Sequence, residues 1–346
     1  MNAEAQRQPP LKTSKTDRVR ISVVVATYNR QASLVQLLED LAAQSFTGFE
    51  VVVVDDGSKD EVTLGGLTPP FPLRLVRQAN AGAAAARHHG ITLATGEIIV
   101  IVDDDMRVGA DFLAEHARTH AEGATLVLGL IAPDTDIAHK PLFERMHQAL
   151  LARMVARYER DPSSVRGTQV CTGNVSFRRA EYLAVGGFDL DMKRSEDREL
   201  GLRLEKNGAK LAFSAKAKVT HKSDHVDNGV WLERNFRYGI YDTRLAKKHP
   251  DVAHANPWSF FERVSPLSRP LLATVVAVPR LGRPLARVVL GAASVCDRAG
   301  LERVAIAGAT LCYGIEYFHG VREELGSLWS TIRDVRAYRW KKRERS

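Results

Sequence analysis

A chain of 346 residues, 45% hydrophobic and 26% charged, is long enough for one large core plus an accessory region and has the proportions of an ordinary globular protein, not of a disordered or fibrous one. Its three cysteines, Cys171, Cys296 and Cys312, lie far apart and argue against a disulfide framework or a zinc site and for a reducing compartment. The formal charge of +8 gathers late in the chain, at Arg263, Arg269, Arg280, Arg283 and Arg287 and again from Arg333 to Arg345, where nucleic acid, anionic lipid or an anionic substrate could be drawn.

Residues 1–18 are polar, contain Pro9-Pro10 and lack the apolar core of a secretory signal, so a mobile tail is expected. Ile21 to Ala26 reads as a first buried strand, leaving through Thr27-Tyr28-Asn29-Arg30. Leu34, Leu37, Leu38 and Leu41 recur at helical spacing and predict a helix from Ser33 to Ala43 with Ser33 as its cap. Phe49 to Val54 is a second strand, ending in Asp55-Asp56-Gly57-Ser58. Leu73 to Val76 is a third, leaving through Gln78 to Gly82 into an Ala-rich helix, Ala83 to Leu93, that carries Arg87, His88 and His89.

The fourth strand, Gly96 to Val102, ends in Asp103-Asp104-Asp105. Adjacent carboxylates repel by about 1 to 4 kcal/mol per close pair, depending on the local dielectric. A divalent cation relieves that repulsion, and oxygen ligands select Mg²⁺ or Mn²⁺ over zinc. A solvated, acid-rich turn is the competing reading. Strands alternating with helices predict a doubly wound, mainly parallel α/β sheet, which sets four polar strand ends on one rim and points to a nucleotide site. Neither G-x-G-x-x-G after the first strand nor a G-x-x-x-x-G-K-S/T loop occurs, which disfavours dehydrogenases and P-loop enzymes.

Further on, Leu126 to Ile131 predicts a fifth strand and Leu142 to Tyr158 an amphipathic helix beside the cleft. Cys171 to Phe177 predicts a strand with small residues where something approaches closely, and Gly186 to Asp189 a turn. Ser195 to Glu199 opens a helix to about Asn207, with acids in its first turn. Lys210 to Phe213 and Ala217 to His221 read as two short strands.

The segments VVVATYNR, VVVVDDGS, NAGAAAARHHGI, GEIIVIVDDDM, TGNVSFRRAEYLAVGGFD and SEDRELGLRL, in this order over about residues 21 to 225, resemble those of the family-2 glycosyltransferases. The resemblance implies the A-type glycosyltransferase fold and an inverting, metal-assisted sugar transfer from a nucleotide diphosphate sugar, expected to be a UDP-sugar. By position it implies that Thr27 and Tyr28 line the base pocket, that Asp56 accepts from base or ribose, and that Arg87 sits near the base or pyrophosphate. Asp103 and Asp105 become the outer acids of a D-x-D motif, Asp103 facing donor and metal and Asp105 the metal; Asp104 reaches the ribose or shares the cation. Asp197 matches the catalytic base, expected to be ionised at neutral pH from an ordinary pKa of about 3.9. Glu196, Gly173 and Asn174 fall on the acceptor side. His221 would be a further metal ligand, with His225 a weaker candidate. Ala110 departs from the family, standing where many relatives have Pro. Each residue also has a plainer reading: Asp56 as a turn former, Arg87 on a solvated helix face, Glu196 and Asp197 as acids suited to a helix N-terminus, His221 as a packing residue.

After His225 the resemblance thins, so the chain divides into the tail, a nucleotide-sugar-binding domain over 19–226 and a helical region over 227–346. Trp231 to Lys248 predicts a helix from which Trp231, Arg234 and Arg237 could touch an acceptor. No apolar run reaches the roughly 18 residues of a spanning helix. Leu271 to Val295 is broken by arginines, and Val304 to Phe318 is too short. Beyond Pro266, apolar helices mixed with Arg and the final Tyr338-Arg339-Trp340-Lys341-Lys342-Arg343 read either as a peripheral contact with the cytoplasmic face of a membrane, near a lipid-linked acceptor, or as a helical subdomain or dimer contact. No nucleic-acid motif accompanies the charge. Two other classes compete with a glycosyltransferase acting on a carbohydrate or lipid-linked acceptor in cell-surface polysaccharide or glycolipid synthesis: a metal-dependent nucleotidyltransferase and a non-catalytic nucleotide-sugar-binding scaffold. The Q-x-x-R-W segment and spanning helices of polymer-forming members are missing, which points to one sugar per encounter.

Overall fold

The computed structural model describes residues 21–222 and 227–343, and the expected tail and His225 lie outside the described residues. The N-terminal half runs β1 (Ile21–Thr27), α1 (Gln31–Ala42), β2 (Phe49–Asp55), β3 (Leu73–Arg77), α2 (Ala83–Leu93) and β4 (Ile98–Val102). It continues through β5 (Met106–Val108), α3 (Phe112–Ala121), β6 (Leu126–Ala132), α4 (Leu142–Arg160), β7 (Asn174–Arg178), α5 (Arg179–Ala184), α6 (Glu196–Lys206) and β8 (Leu211–His221). The C-terminal part is helical: α7 (Asn228–Lys248), α8 (Pro257–Arg263), α9 (Arg269–Ala277), α10 (Gly282–Arg298), α11 (Glu302–Leu325) and α12 (Leu328–Arg343).

All the strands join one mixed sheet in the order β3-β2-β1-β4-β7-β6-β8-β5. Strands β3, β2, β1 and β4 are parallel, with Val23 paired to Val51 on one side and Val100 on the other. β7 runs antiparallel to both β4 and β6, β8 parallel to β6, and β5 antiparallel to β8. These directions bring the C-terminal ends of β1 to β4, β6 and β8 to the same rim as the start of β7. β4 is a continuous apolar run, and β1 and β2 are so apart from Ser22 and Glu50 and their polar ends, because helices cover both faces of the sheet: α1 and α3 share one apolar core with it, and α2 and α6 lie in clusters on the opposite side.

Several local expectations are corrected. α1 begins at Gln31 without a side-chain cap, so Ser33 lies inside its first turn. The expected strand from Cys171 starts only at Asn174, because Cys171 to Gly173 forms a turn in which the Asn174 N–H donates to the Cys171 carbonyl at 3.1 Å. The two strands expected between Lys210 and His221 are one, β8, bent where its pairing with β6 jumps register between Gly129 and Leu130. β5 and α3 were not anticipated. β5 is only three residues long, and α3 buries His116 and His120 beside Phe112 and Leu113, so imidazoles interrupt its apolar face.

A second apolar core joins Leu142, Phe143 and Met146 of α4 to Leu232, Trp258, Leu272 and Phe318 of the C-terminal helices. Trp231 belongs to this core, 4% exposed and stacked on Phe143 at 5.5 Å, so it is not free to meet an acceptor. Arg237 is occupied on the surface by Glu233 at 3.0 Å. α7 and α11 cross in near backbone contact: a Cβ on Gly239 would stand 1.9 Å from the Tyr317 carbonyl oxygen, and one on Gly320 1.9 Å from that of Phe236. Among the described residues no helix is long and apolar enough to cross a membrane.

Candidate active site

The rim is first made rigid by its own loops. Asn29, in the left-handed region at φ 56°, donates its N–H to Ser58 Oγ at 2.8 Å and accepts the Lys59 N–H on Oδ1 at 2.7 Å, fastening the loop after β1 to the loop after β2. Asp56 is buried and accepts from Gln78 Nε2 at 2.8 Å and from the N–H groups of Ala81 and Gly82 at 2.9 and 2.8 Å. Its carboxylate therefore pins the turn that leads into α2. Tyr28 stays half exposed at this edge.

The three acids after β4 are held separately. Asp103 Oδ1 accepts from Arg87 Nη2 at 2.6 Å. Asp104 is buried, taking the Thr27 hydroxyl on Oδ2 at 2.7 Å and Arg30 Nη1 on Oδ1 at 3.3 Å. Thr27 and Asp104 thus bond to each other beneath the rim, and Thr27, only 2% exposed, does not line a pocket with its side chain. Asp105 Oδ2 accepts from Arg30 Nη1 at 2.6 Å and lies 3.6 Å from His221 Nε2, while its buried Oδ1 has no partner. Burial pushes the Asp104 carboxyl up to about 6, against the opposing pull of Thr27 and Arg30. At Asp105 burial acts in the same direction, but His221 and Arg30 hold it below the usual value. His221 answers in kind: burial would lower its pKa, and Asp105 raises it. Among the described residues no three His, Cys, Asp or Glu side chains stand together as a complete metal cluster.

Arg87 connects this acidic tip to the opposite wall. Its guanidinium, nearly buried on α2, also reaches Glu196 Oε1 at the start of α6, at 3.3 Å. Burial works against its charge, yet Asp103 and Glu196 raise its pKa above the ordinary arginine value. It is therefore a buried bridge, not the solvated face that a helical Arg first suggests.

Asp197 follows Glu196, and its Oδ1 accepts the Arg198 N–H at 2.8 Å. The ordinary aspartate expected here is corrected: burial, then the charge of Glu196, push its pKa up to about 7, against the Arg198 N–H and the charges of Arg87 and Arg198. The first turn of α6 is fixed from below. Ser195, left-handed at φ 58°, donates to Asp242 Oδ1 at 2.7 Å, Arg198 Nη1 donates to both Asp242 oxygens at 2.6 and 2.5 Å, and the Tyr317 hydroxyl donates to Asp242 Oδ2 at 2.9 Å.

Gly173 sits beside Asp103: a Cβ there would come within 2.9 Å of Met106 Cε and 3.5 Å of Asp103 Oδ2. Asn174 is a correction. It is 2% exposed, donates to the Leu130 and Ala217 carbonyls at 3.1 and 2.8 Å, and pairs Oδ1 with His116 Nε2 at 3.0 Å. Its amide repairs the sheet where β8 leaves register and does not face an acceptor. Burial also pushes the His116 pKa down to about 3, keeping the imidazole neutral. Arg30 and the Asp242 support were not singled out from sequence. The only signal for Arg30 was its place at the polar exit of the first strand.

The model described as Glycosyl transferase family 2 matches residues 22–186. An uncharacterized glycosyltransferase of Haemophilus influenzae is 38% identical over 216 residues, covering 60% of this chain and 69% of its own. The glucosyl-dolichyl phosphate glucuronosyltransferase of Haloferax volcanii is 28% identical over 222 residues, covering 59% and 69%. Among solved structures, the mannosyltransferase PcManGT from Pyrobaculum calidifontis, in complex with GDP-Man and Mn²⁺, aligns over 88% of this chain and 90% of its own at 19% identity and a TM-score of 0.56, a likeness of fold.

Proposed function

This chain belongs to glycosyltransferase family 2, and from that premise we propose that it transfers one sugar from a nucleotide diphosphate sugar, a UDP-sugar by preference, to the hydroxyl of a carbohydrate or lipid-linked acceptor, with inversion. One observation carries the reading: Arg87 joins Asp103 to Glu196, so the acidic tip of β4 and the N-terminus of α6 face each other across one cleft. Asp197 takes the acceptor's proton as the new bond to the anomeric carbon forms, and the bond to the diphosphate breaks on the opposite face. A positioned base of this kind contributes about 10² to 10⁴ in rate. A carboxyl with a pKa of about 7 is matched to that task near neutrality, since it is a stronger base than an ordinary aspartate and still about half ionised at pH 7.

The donor set fits a divalent cation. Asp105 offers a buried, unpartnered carboxylate oxygen beside His221, and Asp103 lies on the same tip. A cation that takes one or two protein ligands and completes its shell with phosphate oxygens and water needs no third side chain. Asp105, His221 and Asp103 would hold Mg²⁺ or Mn²⁺, and Mn²⁺ is the ion in the complex of the structural neighbour PcManGT. When bound, such an ion supplies neutralisation of charge on the departing diphosphate. On the donor side, Tyr28 and the rim fixed by Asp56 would receive the base and ribose, while Arg87 acts from behind by aligning Asp103.

A position at the cytoplasmic face of an anionic membrane is part of the proposal. Leu281, Val288 and Val295 recur every seven residues on the outer face of the α10 segment, Val288 being 68% exposed, and Leu267 before α9 is 92% exposed. Arg280, Arg287 and Arg298 flank this face and have no ion pair among the described residues. Apolar side chains bordered by arginines suit an anionic lipid surface. Such a location serves a lipid-linked acceptor and the synthesis of a glycolipid or cell-surface polysaccharide.

The test is to offer a panel of nucleotide sugars with and without Mn²⁺. A donor whose binding or slow hydrolysis depends on metal is expected, and Asp197→Asn should keep donor affinity while turnover collapses. A panel in which no donor responds to metal removes the proposal.

A further inference from the structure

We propose that Arg194 and Arg234 form an anion site on the acceptor side of Asp197, which takes the phosphate of a phosphate-bearing acceptor. This rests on the glycosyl-transfer reading of the same cleft and adds the chemical class of the second substrate.

The arginines around the cleft divide into two groups. Arg30, Arg87 and Arg198 are committed to Asp104 and Asp105, to Asp103 and Glu196, and to Asp242 respectively. Arg194 and Arg234 make no hydrogen bond or ion pair among the described residues, although both are partly buried. The Arg234 Nε lies buried without any partner. An unpaired buried donor on a charged group is destabilising, and a bound anion relieves that cost.

The two residues flank Tyr238 on α7, the helix that Asp242 ties to the start of α6 where the base sits. Arg234 and Tyr238 are one turn apart on the same side of α7. Arg194 stands just ahead of α6, its guanidinium carbon 6.0 Å from the centre of the Tyr238 ring. The Tyr238 phenol is within electrostatic reach of Arg194, Arg234, Asp197 and Cys171, and Arg234 also acts on His147, which in turn feels His221. Two guanidinium forks thus bracket a phenol hydroxyl, which burial keeps protonated and which feels the charge of the residue that must receive the acceptor's proton. Neutral sugar hydroxyls would leave both positive charges unmatched. A phosphate presents several acceptor oxygens in the planar, bidentate geometry that guanidinium favours.

The test uses the full chain with Mn²⁺ and a nucleotide sugar that it binds. Equilibrium binding of geranyl phosphate, inorganic phosphate and geraniol is measured for the wild type, R194Q, R234Q and the conservative R194K and R234K, with thermal unfolding as a check on folding. Geranyl phosphate is expected to bind and geraniol not. Each Gln variant should weaken the phosphate probe by about tenfold or more, the Lys variants by less, and donor affinity should stay within about twofold of wild type. Geranyl phosphate binding more tightly than inorganic phosphate assigns a lipid-linked acceptor. Equal affinities assign the phosphate of a soluble acceptor, and either result sustains the site. Loss of donor affinity in the Gln variants gives these arginines to the donor diphosphate and overturns the proposal, as does geraniol binding as well as its phosphate, or a phosphate affinity indifferent to both substitutions. A wild type that binds no nucleotide sugar fails earlier, and takes the glycosyl-transfer reading with it.

Discussion

Asp197→Asn should make the protein more stable at pH 8 while destroying turnover. The carboxyl has a pKa of about 7 in the folded chain against an ordinary value of 3.8, so the folded state holds that proton more tightly than the unfolded chain does. Between those two values the folded state carries more protons, and stability falls as pH rises through the window, reaching its full penalty above about 7. A rise from 3.8 to about 7 corresponds to about 4 kcal/mol at pH 8 and less than about 2 kcal/mol at pH 5. Water in the cleft screens part of this, which leaves an expected gain of about 2 kcal/mol at pH 8, or an increase in Tm of roughly 3 to 6 °C for a chain of this size. Asn keeps an oxygen for the Arg198 N–H and carries no charge, so the difference between variant and wild type isolates the ionisation. The assay is urea and thermal unfolding of both proteins from pH 5 to 8, alongside turnover, which should fall by about 10² to 10⁴. A variant that is less stable at pH 8, or whose advantage does not grow with pH, refutes the account of how the cleft raises this pKa.

Three more outcomes follow from the same geometry. Glu196→Gln removes the second contributor to the elevated Asp197 pKa, so the acidic limb of the kcat/KM profile, expected near pH 7, should move down by about one unit; an upward move would contradict it. Arg280→Glu with Arg287→Glu should abolish cosedimentation with phosphatidylglycerol vesicles, and wild-type binding should weaken with salt; binding that survives charge reversal sinks the membrane assignment. Gly239→Ala drives a methyl into the Tyr317 carbonyl and should cost several kcal/mol by urea unfolding, a loss that Ala at the open, exposed Gly291 should not reproduce.

How far the fold could be read depended on whether a residue's neighbours lay along the chain or across it. β1, β2 and β4 were legible because burial on both faces demands unbroken apolar runs, and α2 because its Ala-rich stretch is bounded by Gly82 and Ala94. α3 escaped because His116 and His120 are buried by partners on β7, Ser176 and Asn174, some 60 residues away. Likewise, the acid runs Asp103-Asp104-Asp105 and Glu196-Asp197 marked their residues as chemically loaded, but not which groups neutralise or brace them. Arg30 meets Asp105 across 75 positions, and Ser195 meets Asp242 across 47. Asn174 illustrates the converse: its match to the family's substrate-facing strand implied an acceptor contact, with a backbone-shaping role as the alternative, whereas a register jump on a neighbouring strand claims its amide.

Asp242 has a consequence for anyone recombining such enzymes. The matched region ends at residue 186, yet the helix start that carries Asp197 is held by a carboxylate on α7 and, through it, by a phenol on α11. Chimeras that graft a foreign helical half onto this sheet-bearing half would sever that brace and leave Arg198 stranded without its counter-charge. The two halves can be exchanged only as a matched pair, with the seam placed so that the serine, the arginine, the aspartate and the tyrosine travel together.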